Sequence, residues 1–187
     1  MEIKPFECNE DFTNKLLDLP YELDHFQKWA AISIEADENC LVTAHTGSGK
    51  TICAEYAIAK ALQLNKKVIY CSPIKVLSNQ KYKELNTKFG NCGILTGDIK
   101  LNPDAQIIVL TTEILREMLF KDNEFINDVK YVIFDEVHYI NDKARGHVWE
   151  QSLLMLPREI TLVLLSATIS KPEKFCNWLY ELKQKKI

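Results

Sequence analysis

The sequence holds 187 residues, with 23 Lys and Arg against 26 Asp and Glu for a formal net charge of −3, and is 47% hydrophobic and 26% charged. That balance fits one compact domain with a substantial core and excludes a disordered chain. The apolar runs, such as 107–110 and 162–165, are too short for a membrane-spanning helix, and a net acidic chain excludes nucleic-acid binding by bulk basicity.

The elements follow in chain order. The opening MEIKPFECNEDF carries acids and no apolar stretch, so residues 1–18 are expected to form an arm and not a secretory signal. From residue 19 onward, runs that are apolar on both faces fall at 40–44, 68–72, 92–95, 107–111, 131–135 and 162–166. Between them, helical spacing predicts helices over 49–64, 74–89, 113–120, 146–156 and 172–183. Strands buried on both faces and separated by helices define an α/β fold, a mostly parallel sheet with helices on both sides. Right-handed crossovers bring the strand C-terminal ends to one edge, where such sheets bind ligands. The six cysteines include no C-x-x-C pair, and the four histidines lie at no zinc spacing beside them. They are therefore read as buried free thiols, which implies a reducing, intracellular setting.

Two segments carry chemistry. LVTAHTGSGKT at 41–51 is a strand, a loop of small residues and the start of a helix. Thr46, Gly47, Ser48 and Gly49 let backbone N–H groups approach a polyphosphate at the positive end of the helix. Lys50 reaches the β and γ oxygens, and the Thr51 hydroxyl suits Mg²⁺. Ala44 stands where the G-x-x-x-x-G-K-[ST] pattern begins with glycine. In YVIFDEVHYI, four apolar residues deliver Asp135 and Glu136 to a strand end. Adjacent carboxylates there suit a cation and a nucleophile: Asp135 to hold Mg²⁺ through water, Glu136 to orient and deprotonate the attacking water.

In this order, AHTGSGKT, DEVH at 135–138 and LLSAT at 164–168 resemble motifs I, II and III of superfamily 2 helicases. SPIKVLSNQKYKEL, LTGDI, TTEILREML and FDEVHYINDKARGHVWE resemble more narrowly the Ski2-like RNA helicases of the Mtr4/Ski2 group, which feed the RNA exosome. The likeness runs almost continuously from residue 19 to residue 179. It implies a first RecA-like domain over 19–187, with ATP and Mg²⁺ as cofactors and RNA, threaded by a single-stranded 3′ tail, as partner. Gln27 would read the adenine edge, with Tyr21 in the place of a stacking Phe; for Tyr21 and Phe26 core packing serves equally well. His138 would connect the nucleotide site to Ser166 and Thr168. Pro73, Ile74, Ser78, Gln80, Gly97, Asp98, Thr111, Thr112 and Glu113 would meet the RNA backbone, although Ser, Thr and Asp at such positions are also ordinary helix caps.

The resemblance also implies partners that the sequence does not carry. A second RecA-like domain would bring a Q-x-x-G-R-x-x-R segment with its arginine finger, and none of Arg116, Arg145 or Arg158 has that context. An arginine finger is worth roughly 10³–10⁵ in rate, so the chain by itself is expected to hydrolyse ATP barely at all. The expected activity is that of a 3′-to-5′ ATP-dependent RNA helicase, with exosome-type partners and no membrane. A Ski2-like DNA helicase and a stand-alone nucleotide-binding regulatory module are the alternatives. The charge is unevenly spread: residues 60–100 hold 8 basic and 2 acidic groups, over the stretch expected to face RNA.

Overall fold

The computed structural model describes residues 4–5, 7–121 and 124–187; positions 1–3 and 6 of the expected arm lie outside the described residues. The strands are β1 (Cys40–Thr43), β2 (Lys67–Ser72), β3 (Cys92–Leu95), β4 (Lys100–Leu101), β5 (Ile107–Thr111), β6 (Val129–Phe134) and β7 (Thr161–Ser166). The helices are α1 (His25–Glu35), α2 (Thr51–Gln63), α3 (Lys75–Phe89), α4 (Thr112–Phe120), α5 (Gly146–Met155) and α6 (Pro172–Lys183). The strands form one sheet in the order β1-β7-β6-β2-β5-β3-β4, parallel throughout except for β4 against β3.

The continuous apolar runs are explained by two cores, one on each face of the sheet. Val68, Tyr70, Ile107, Val109, Ile133 and Val163 pack toward α1, α2 and α3. Their neighbours in the strands, among them Ile69, Cys71, Ile108, Val132 and Leu164, pack toward α4, α5 and α6. Successive side chains in a strand point to opposite faces, so both faces must be apolar when both are covered. Trp149 of α5 is the largest fully buried side chain, its ring tilted against Phe134 at 5.6 Å between centroids.

All six expected strands and five expected helices are present, with ends shifted by a residue or two. Besides two short 3-10 turns, one α-helix and one strand are additional among the described residues. The helix α1 was not anticipated, although Asp24 and Gln27 form part of a capping box in which Asp24 N–H donates to Gln27 Oε1 at 2.9 Å. β4 is a two-residue exposed strand that adds to β3 at the sheet's end. The described residues before 19 form no helix or strand but lie against the core. Cys8 and Leu17 are buried, and Phe12 tilts against Tyr56.

The positive stretch over 60–100 is largely paired. Five of its eight lysines make ion pairs: Lys60 with Glu35, Lys66 with Asp128, Lys75 with Asp98, Lys81 with Glu84 and Lys88 with Glu55. The sequence excess of charge therefore does not translate into an unbroken basic face. No helix among the described residues is long and apolar enough to cross a membrane.

Candidate nucleotide and nucleic-acid site

Parallel pairing places the ends of β1, β7, β6, β2 and β5 along one edge, and the motif residues follow directly from those ends. After β1 the loop turns through Gly47 and Gly49, at φ +84° and +86°, a region that favours glycine. The helix α2 then opens at Thr51, so its first-turn N–H groups face the loop. The Lys50 ammonium is folded into that loop, donating to the carbonyls of Ala44 and of His45, the latter at 2.9 Å. A cation is thus held where the chain curls around it, with the half-buried Ser48 hydroxyl lacking a protein partner beside it.

Gln27 braces the loop. It is buried, and its Nε2 donates to Gly49 O at 3.1 Å while Oε1 holds Asp24 N–H. Tyr21 is exposed, and Phe26 is partly buried against the core.

Asp135 and Glu136 leave β6 at the same sheet edge, with β7 between β6 and the loop-bearing β1. Asp135 N–H extends the ladder to Cys71 O at 2.9 Å. Its carboxylate is held from both sides, by the Tyr70 phenol on Oδ2 at 2.6 Å and by Glu136 N–H on Oδ1 at 3.0 Å. Burial first, then the Asp135 charge, holds the Tyr70 hydroxyl protonated well above its ordinary range. Glu136 has φ +54°, an uncommon left-handed conformation for a residue with a side chain, and it opens the short 3-10 turn Val137–Asn141. Glu136 Oε2 lies 3.2 Å from His138 Nδ1, but the approach is off-line, and neither buried atom has a hydrogen-bond partner. His138 therefore lies on Glu136, with its ring against Tyr139. Motif III is joined to the loop through its backbone instead: Ala44 N–H donates to Ser166 O at 3.1 Å, while Ser166 Oγ closes on Thr168 O.

The residues expected to face RNA divide into two sets. Ile74, Gln80, Gly97, Asp98 and Glu113 reach the surface at least in part, whereas Pro73 and Thr111 are buried. Ser78 and Thr112 turn their hydroxyls inward. Both are fully buried; Ser78 Oγ shares a 2.6 Å hydrogen bond with Ser72 Oγ, and Thr112 Oγ1 accepts from the Cys71 thiol. Their hydroxyls fasten the strand ends that carry the exposed residues. The Lys75 ammonium draws the Asp98 carboxyl below its usual range and links the start of α3 to the Gly97-Asp98 turn.

Two site residues escaped sequence reasoning. Arg145 donates through Nε and Nη2 to Glu113 Oε1, at 3.0 and 2.6 Å, and through Nη2 to Pro73 O. One guanidinium thereby joins the ends of β2 and β5 to the segment that follows Asp135-Glu136. Arg145 belongs to a family-specific tract but had no assigned role, and Tyr70 falls within the apolar run 68–72 with nothing in that run to mark it.

A cleft of about 880 Å³ runs from His45, Gly47 and Ser48 along α1 and the β1 edge to α6. It does not include Lys50, Asp135 or Glu136, so the polyphosphate side of the site is the open sheet edge. The cysteines are buried and unpaired, and burial pushes the thiols of Cys40 and Cys71 up to about 12. Such thiols are neither nucleophiles nor ready metal ligands.

This donor set fits a magnesium-bound nucleotide. A cationic amine sits in a glycine loop at a helix start, a hydroxyl follows it, and two carboxylates leave a strand of the same sheet. One of those carboxylates has an unpartnered buried oxygen. P-loop nucleoside triphosphatases are defined by such an arrangement. The DEAD/DEAH box helicase family model matches residues 24–175, and the chain belongs to that family. It is 51% identical over 170 residues to the antiviral helicase SKI2 of Saccharomyces cerevisiae, covering 90% of this chain and 13% of that protein. It is 50% identical over 163 residues to the ATP-dependent RNA helicase mtr4 of Schizosaccharomyces pombe, covering 87% and 15%. The chain thus spans about one-seventh of the length of these relatives. Among solved structures, the Mycobacterium smegmatis helicase Lhr bound to ssDNA and AMP-PNP superposes with a TM-score of 0.70 at 29% identity, over 81% of this chain and 24% of that one.

Proposed function

We propose that this chain is the ATP-binding motor domain of an ATP-dependent RNA helicase, one that moves 3′ to 5′ and works with exosome-type partners in a reducing intracellular compartment. The observation that carries the reading is the placement of Lys50-Thr51 and Asp135-Glu136 after the C-terminal ends of β1 and β6, the two strands that flank β7 on one edge of the parallel sheet. The relatives named above, an antiviral helicase and an ATP-dependent RNA helicase, support the activity.

Bound ATP–Mg²⁺ supplies the phosphoanhydride bond and neutralises its phosphate oxygens. The chain's own residues do the rest. Loop N–H groups and the Lys50 ammonium bind the phosphates, Thr51 and Asp135 hold the metal side, and Gln27 lies against the loop on the adenine side. The Glu136 carboxylate orients water and takes its proton. The exposed backbone-facing residues at the ends of β2, β3 and β5 meet the sugar-phosphate track without reading bases. Hydrolysis is completed by an arginine from a second RecA-like domain, so this chain alone turns over slowly.

Lys50→Ala is expected to abolish ATP binding measured by calorimetry; unchanged affinity would contradict the loop assignment. The DNA-bound neighbour favours one second reading, a DNA-unwinding enzyme. Stimulation of ATP hydrolysis by RNA but not by DNA of the same sequence supports the RNA reading, because only the 2′-OH distinguishes the two on a backbone track. Equal stimulation supports the alternative.

A further inference from the structure

Tyr70 occupies the middle of β2, the central strand between β5 and β6, and is fully buried. Its ring belongs to the core beneath α2 and α3, where a phenylalanine would fill the same space. A buried hydroxyl is costly unless it is bonded, and this one is bonded to Asp135 Oδ2 at 2.6 Å. The strand register explains the reach. Tyr70 lies opposite Ile133, and β6 continues one more residue along Cys71 before releasing Asp135. The phenol thus rises from the core to meet the carboxylate from below. Glu136 N–H meets the other oxygen. Each carboxylate oxygen has about two lone-pair directions, so each keeps one for the hydration shell of a metal.

We infer that Tyr70 is a positioning residue for Mg²⁺, orienting the Asp135 carboxylate from behind so that its free lone pairs face the phosphate loop. This rests on the assignment of Asp135 to the metal made above. With the phenol absent, one oxygen loses its anchor, and the carboxylate can turn about its side-chain bonds or fall back on the backbone. Partners that orient a metal ligand from behind are worth about 10–100-fold in metal affinity.

Tyr70→Phe removes one oxygen atom and leaves the ring. The test is binding of a fluorescent ATP analogue to wild type and variant, across a Mg²⁺ titration and in EDTA. The Mg²⁺ concentration that half-tightens binding is expected to rise about 10–100-fold in the variant, with affinity in EDTA unchanged. A variant that responds to Mg²⁺ like wild type would overturn the inference, as would equal loss of affinity in EDTA. Wild type without any Mg²⁺ response would overturn the Asp135 assignment and the inference together. Asp135→Asn supplies a second arm. Adding Tyr70→Phe to that background should produce no further change in the Mg²⁺ response, and a full additive effect would assign Tyr70 a purely structural role.

Discussion

Single side chains in this domain carry two duties, and Gln27 is the plainest example. Its amide caps α1 through Oε1 and braces the phosphate loop through Nε2, whose second proton is left to reach a base. Gln27→Ala leaves both Asp24 N–H and Gly49 O without their partner. It should lower stability by about 1–2 kcal/mol in urea unfolding and erase any preference for ATP over GTP. Unchanged preference would confine Gln27 to the brace. A side chain at Gly49 would be strained at φ +86°, and its Cβ, 2.7 Å from Gln27 Nε2, would push that amide off the loop. Lys183 is a second case. It is buried and donates to Leu156 O at 2.6 Å behind α5. Burial, with repulsion from Arg158, pulls its ammonium from 10.5 down to about 8. Between those values the unfolded chain holds the extra proton, so stability rises with pH through that window, and the cost of the buried charge is fully present below it. Wild type should therefore gain on the order of 1–3 kcal/mol relative to Lys183→Met between about pH 7 and about pH 10. Parallel curves for the two proteins would show that Lys183 is solvated.

Elements are tied at their ends as much as along their faces. Arg145, just before α5, grips Glu113 at the start of α4 and Pro73 after β2, so three loops of the sheet edge move as one. The pair is partly exposed and contributes little to stability, so its effect belongs in binding. Arg145→Ala should weaken RNA binding by about 2–30-fold with ATP affinity unchanged, and Lys at this position should not rescue it, lacking the forked guanidinium. RNA affinity equal to wild type in filter binding would contradict the clamp. The strands themselves were legible because burial on both faces leaves long apolar runs such as 162–166. The helix α1 was not. Gln27 was read for adenine contact alone, although the same glutamine forms the cap with Asp24. β4 is two exposed residues and has no apolar pattern to find. The order of motifs located the edge loops correctly, yet it could not tell an outward hydroxyl from an inward one. Ser78 and Thr112 turned in because the tight ends of β2 and β5 need internal hydrogen bonds.

At the scale of the molecule, function follows from topology: a parallel sheet delivers its reactive residues to one edge and covers both faces with helices. The net charge of −3 gave no hint of this, and five of the eight lysines over 60–100 are ion-paired, three of them with carboxylates from elsewhere in the chain. In the proposed reading, RNA contact at this edge relies on positioned N–H groups and few unpaired cations, and its salt dependence should be shallow, since the slope scales with the phosphates neutralised. The central claim is that Glu136 activates water at this edge for ATP held by Lys50. The most direct measurement compares RNA-stimulated ATP hydrolysis and ATP affinity for wild type and Glu136→Gln in the full-length protein. The rate should fall by about 10²–10⁴ with ATP affinity unchanged. A variant that hydrolyses ATP at the wild-type rate would contradict the account.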